Sequence, residues 1–135
     1  MREIKFRADE ILAMKPGREL DALVMRIIFK AEKKDIGDEC YWVSEIDGEE
    51  ECWPRWFSPS TDISASFEVE EIAIEKDPAM YVHALASVVF GYGQVQDISD
   101  IRKMCMLIHA TPEQRCKAAL LAVMEGEKDD RTTNA

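Results

Sequence analysis

This chain lacks an excess of basic charge, has few histidines and has no paired cysteine motif. Its 135 residues carry 17 Lys and Arg against 27 Asp and Glu, a formal net charge of −10. A duplex or a tracked single strand would meet repulsion before any specific contact formed, which excludes a generic nucleic-acid binder; a small anion in a locally basic pocket stays open. The 2 histidines, His83 and His109, are a thin supply of general bases. Cys40, Cys52, Cys105 and Cys116 never approach C-x-x-C spacing. A zinc site would have to be assembled from distant pieces, so no metal is expected. Gly91 and Gly93 belong to neither of the two phosphate-loop spacings, and no nucleophile stands at a recognisable spacing from a base. The expectation is a protein without catalysis and without a cofactor. No apolar run is long enough to span a bilayer, and Met1 to Arg7 mixes acid and base where a signal peptide needs an apolar stretch. A cytosolic protein with reduced thiols is expected.

What is present suits one domain: 47% of the residues are hydrophobic, enough for a real core. Ala8 to Met14 reads as a short helix ended by Pro16. Behind Lys15-Pro16-Gly17, the residues Leu20, Leu23, Val24, Ile27 and Ile28 recur at helical spacing and predict a helix from Gly17 to about Lys30. Gly17 can serve as its N-cap, and Glu19 and Asp21 put negative charge where the macrodipole favours it. Lys15 and Arg18 add cations where free N–H groups point outward, the composition of an anion site and equally of an ordinary helix entrance. Ala31 to Glu39 reads as a charged loop with a turn at Gly37.

From Cys40 to Trp53 the pattern is that of a hairpin about Asp47-Gly48, with Ile46 opposite Glu49, Val43 opposite Cys52 and Trp42 opposite Trp53. Cys40 lies outside the register of Cys52, so no disulfide crosses it. Trp42, Trp53, Trp56 and Phe57 make either an aromatic wall on which a base can stack or a hydrophobic lid over the core. Ser60, Thr61 and Asp62 are capping residues before a helix that runs to Glu75, with Ile63, Phe67 and Ile74 on one side and Ala65, Val69, Ile72 and Ala73 on the other. Met80 to Phe90, rich in β-formers, reads as a central strand holding His83, and Lys103 to His109 as a second buried strand. Thr111, Pro112 and Gln114 form a capping box for a last helix in which Cys116, Ala119, Leu120 and Val123 recur at helical spacing and Gly126 marks the end. Residues 1–125 then make the domain and 126–135 a disordered polar tail.

Three segments, Glu10 to Val24, Pro59 to Val69 and Arg115 to Met124, together resemble the phage ABA-sandwich domain family of small bacteriophage and prophage proteins. The resemblance implies an α+β fold, an α/β sandwich in which a small, largely antiparallel sheet is flanked by helices. It also implies a place in the cytoplasm of the bacterial host, and it marks Lys15, Gly17, Arg18, Asp21, Ser60, Thr61 and Asp62 as residues that matter. Arg18 and Asp62 are equally a candidate ion pair joining the first two motifs. One functional expectation is a counter-defence sponge that sequesters a cyclic-nucleotide or related immune signal. It would use Lys15, Gly17, Arg18, Ser60, Thr61, Asp62, Trp42 and Trp56, in a homo-oligomer, with no membrane contact. The alternative is an acidic interaction protein that blocks a host defence or nucleic-acid enzyme through charges such as Asp47-Gly-Glu-Glu-Glu51.

Overall fold

The computed structural model describes residues 8–36, 40–46, 48–91 and 101–133. The element order is α1 (Ala8–Ala13), α2 (Arg18–Ile27), β1 (Glu32–Ile36), β2 (Cys40–Ile46), β3 (Glu49–Trp53), α3 (Ile63–Lys76), α4 (Pro78–Phe90), α5 (Ile101–Ile108) and α6 (Pro112–Thr133). The strands form one antiparallel sheet in the order β1-β2-β3. This is a small single-domain α+β fold in which most of the mass is helical.

The core is built on α6. Every residue from Arg115 to Val123 is buried, so that stretch meets protein on all sides, and α1, α2, α3 and α4 all touch it. Alanines at 118, 119 and 122 let neighbouring helices approach closely, while Leu120, Leu121 and Val123 fill the space between them. The predicted capping box closes the helix start: Gln114 N–H donates to Thr111 Oγ1 at 3.1 Å, and Thr111 N–H to Gln114 Oε1 at 2.9 Å. The two charges inside this run are fully engaged. Lys117 donates to Leu12 O at the end of α1 and to Glu113, at 2.9 and 2.6 Å. Arg115 donates to Ala110 O at 3.1 Å and Ile108 O at 2.7 Å and pairs with Glu70, which also accepts from Tyr81. Breaking that buried network would strand a charge.

Several sequence expectations are corrected. Met80 to Phe90 is a helix: Asp77 accepts from Met80 N–H at 3.1 Å as N-cap, Pro78 takes the first helical position, and Gly91 at φ 97° ends it. Tyr81, Ala84 and Leu85 form its buried stripe, and His83 lies exposed beside them. Lys103 to His109 is not a buried strand either. Its residues belong to α5 and the turn after it; no residue of α5 is buried, and Ile101 and Ile108 are 76% and 70% exposed. Residues 32–36, expected in a loop, form edge strand β1, with Lys33 opposite Trp42 and the ammonium 5.5 Å from the ring centre. Gly37 falls outside the described residues. Gly126 does not stop α6, which continues to Thr133 into the stretch expected as a disordered tail.

The hairpin has the expected register, Ile46 to Glu49, Val43 to Cys52 and Trp42 to Trp53. Gly48 takes φ 82° at the turn, a value that favours glycine, whereas Asp47 lies outside the described residues. Cys52 forms no disulfide. Directly opposed residues share a sheet face, so Lys33, Trp42, Ser44, Glu51 and Trp53 lie on one side. On that side Trp53 meets Phe29 and Phe57, which join the sheet to the helical part.

Candidate functional site: a basic aromatic cleft beside a helix corner

The starts of α2 and α3 meet. Gly17 N–H donates to Ser60 Oγ at 2.9 Å, Ser60 Oγ donates to Gly17 O at 3.4 Å, and Ser60 N–H donates to Asp21 Oδ1 at 2.8 Å. Gly17 sits at φ 143°, ψ −158°, a region that a side chain makes costly, and this lets its N–H face a hydroxyl from a distant segment. Ser60 is buried, as is Asp21, and their polar atoms are used up in holding the corner together. Asp62 accepts from Ala65 N–H at 3.3 Å as the N-cap of α3 and forms no ion pair with Arg18. Lys15 and Thr61 are exposed at the edge of the corner.

Beside the corner lies a cleft of about 500 Å³, within the usual range for small-molecule sites. Arg18, Asp21 and Ala22 line it from α2, at the i, i+3, i+4 spacing that puts them on one helix face. Lys33 and Trp42, cross-strand neighbours, line it from the sheet, and Arg55, Trp56, Phe57 and Ser58 close it from the segment after β3. Of the residues singled out by sequence, Arg18, Trp42 and Trp56 come together here. Gly17 and Ser60 lie behind them as the corner bonds, and Lys15, Thr61 and Asp62 do not line the cleft. Trp42 is buried and presents part of a wall, whereas Trp56 is 71% exposed. Trp53 and Phe57 pack with Phe29 instead, ring centres 4.9 Å (Phe29 to Trp53) and 5.9 Å (Phe29 to Phe57) apart, as a lid does.

No family model, curated protein or solved structure matches this chain.

The electrostatics of the cleft are local and opposite to the net charge. Among the described residues, three cationic side chains, Arg18, Lys33 and Arg55, line it together with a single carboxylate, Asp21. Burial pushes the Asp21 carboxyl above its ordinary value, an effect partly offset by the two hydrogen bonds with Ser60. Its charge is therefore the least favourable one in the cleft, and a bound anion would raise it further. Behind Asp21, burial and then Asp21 itself push the Cys116 thiol up, so this sulfur is an inert core group and no nucleophile. Among the described residues, no group of three or more His, Cys, Asp or Glu is placed to hold a metal ion.

Lys33 and Arg55 are the cleft-lining cations that the sequence reading does not single out, whereas Phe57 belongs to the aromatic group it names. Lys33 was legible only if β1 had been recognised as a strand, because pairing with Trp42 is what carries it there. The Arg18, Asp21, Ala22 face was readable from helical spacing. Nothing in the sequence placed Arg55.

Proposed function

We propose that this chain is a non-enzymatic binder of a small nucleotide-type anion, acting as a sponge that removes a cyclic-nucleotide or related immune signal inside a bacterial host. The observation that carries the reading is the cleft in which Arg18, Lys33 and Arg55 gather around Trp42 and Trp56 in a chain of net charge −10. Guanidinium groups pair with phosphate oxygens through charge-assisted bonds, and an exposed indole such as Trp56 offers a face to a base. Asp21 is a carboxylate among the described lining residues, and burial raises its carboxyl above the ordinary value. Sequestration needs nothing further, because the ligand leaves as it came. The phage setting rests on the three motif segments that resemble the ABA-sandwich family. A homo-oligomer belongs to the same reading, with the exposed apolar side chains of α5 as available surface.

The test is native mass spectrometry of the protein purified from bacteria making immune nucleotides, which reports bound mass and subunit count together. The expected result is a bound nucleotide that is recovered intact after denaturation and that raises the melting temperature of the empty protein. Recovery of a cleaved product, or no thermal response across cyclic dinucleotides, cyclic trinucleotides and ADP-ribose derivatives, would remove the reading.

A further inference from the structure

A second cleft, of about 420 Å³, opens on the same sheet face, between the end of α2 and the last turns of α3. Ile28, Phe29, Trp53 and Ile72 are its apolar walls, and Glu49, Glu51, Lys30 and Lys76 bring charges of both signs to it. The packed rings of Phe29, Trp53 and Phe57 stand between it and the basic cleft, with Phe57 on the far side. Ser44 lines this second cleft. It is 3% exposed, and its Oγ is the one buried side-chain polar atom among the described residues without a hydrogen-bond partner. Native structures rarely leave such an atom unmet, and one that borders a cleft invites a ligand group.

Ser44 and Glu51 are directly opposed in the β2–β3 ladder, so both side chains rise from neighbouring points on one face. Neither Glu49, Glu51 nor Lys76 makes a hydrogen bond or ion pair with any described residue. A molecule with a cation, an anion and an apolar body matches all three features.

We infer that this cleft binds a free amino acid with an apolar side chain. The ammonium sits between Ser44 Oγ and the Glu51 carboxylate, giving the hydroxyl the donor it lacks. The ligand carboxylate pairs with Lys76, and its side chain lies against Phe29 and Trp53. The site is independent of the nucleotide reading, since none of these residues lines the basic cleft.

The test is calorimetry and saturation-transfer NMR on the full chain with L-leucine, against 4-methylpentanoate, which lacks the ammonium, and 3-methylbutan-1-amine, which lacks the carboxylate. Leucine is expected to bind saturably, and each analogue at least about tenfold more weakly. Ser44→Ala is expected to weaken leucine binding by about tenfold while keeping or raising the melting temperature, because the deleted hydroxyl satisfied nothing in the fold. Glu51→Gln, at an exposed position, is expected to give a similar loss and serves if Ser44→Ala fails to fold. Absence of saturable leucine binding, equal binding of either analogue, or unchanged leucine affinity in a folded variant would overturn the assignment.

Discussion

In the cleft beside α2 the buried polar atoms of Gly17, Asp21 and Ser60 are bonded to one another, whereas in the cleft beside Ile72 the Ser44 hydroxyl is bonded to no described group. Both open on one face of one small sheet. The first has finished its internal bonding, so any recognition falls to long cationic side chains and an exposed indole. The second leaves part of its bonding undone. The contrast separates polar residues that hold a fold from polar residues that are left over, and only the second kind points to a ligand.

The most forceful way to break this contrast is to remove what divides the clefts. Trp53 is buried between Phe29 and Phe57, so Trp53→Ala should cost about 3–5 kcal/mol by urea denaturation, through lost burial and the cavity left behind. A loss below about 1 kcal/mol would mean that the rings are not what joins sheet to helices. Asp21 sharpens the same contrast at the corner. Asp21→Ala leaves the Ser60 N–H without its acceptor and should cost about 1–3 kcal/mol, while Asp21→Asn keeps an oxygen in place and should stay within about 1 kcal/mol. Equal losses in the two variants would show that charge, and not the bond to Ser60, holds the corner. Arg18→Ala tests the ligand side: it should leave stability within about 0.5 kcal/mol and weaken nucleotide binding by about tenfold.

Residue patterns that act locally were legible in the sequence, and those that depend on a distant partner were not. The hairpin register followed from Asp47-Gly48 and the paired tryptophans, and the capping box of α6 from Thr111 and Gln114. The stretch 80–90 misled because Tyr81, Val82, Val88, Val89 and Phe90 are strand formers. The helix there is set by Asp77 and Pro78 at its start and by the spacing of Tyr81, Ala84 and Leu85. In α5 both the element type and the burial differ from the buried strand expected over Lys103 to His109. Ile101, Met104 and Ile108 recur at helical spacing yet stay exposed, while α1, α2, α3 and α4 pack on α6. At the candidate site, the two helix starts could be named from sequence. That Ser60 would use its hydroxyl on Gly17, leaving Lys33 and Arg55 to line the cleft, depends on a fold that brings positions 43 apart into contact.

Asp21 also gives the corner a pH signature. Its folded carboxyl is raised above the ordinary value of 3.8, so between that value and the folded one the native state holds more proton than the unfolded chain. Stability from this group is complete below the ordinary value and is lost as pH rises through the folded value. Glu68, raised mainly by burial, acts with the same sign. Chemical denaturation across the mildly acidic range should therefore show a downward slope with rising pH that Asp21→Asn reduces and does not abolish. Nucleotide affinity should strengthen as pH falls through the same window, because protonation neutralises the one carboxylate that lines the cleft among the described residues. An identical slope in Asp21→Asn would place the titration elsewhere.

The smallest effect separates a helix entrance from the cleft beside it. Lys15 stands at the start of α2 but does not line the cleft, and it is exposed. Its charge acts on a bound anion through water and salt, which screen it within about 8 Å at physiological ionic strength. Lys15→Ala should therefore change nucleotide affinity by less than about twofold and stability by less than about 0.5 kcal/mol. A Lys15→Ala loss as large as that of Arg18→Ala would move the anion from the side of α2 to its first turn. The backbone N–H groups of that turn would then carry the recognition that the cleft assigns to Arg18, Lys33 and Arg55.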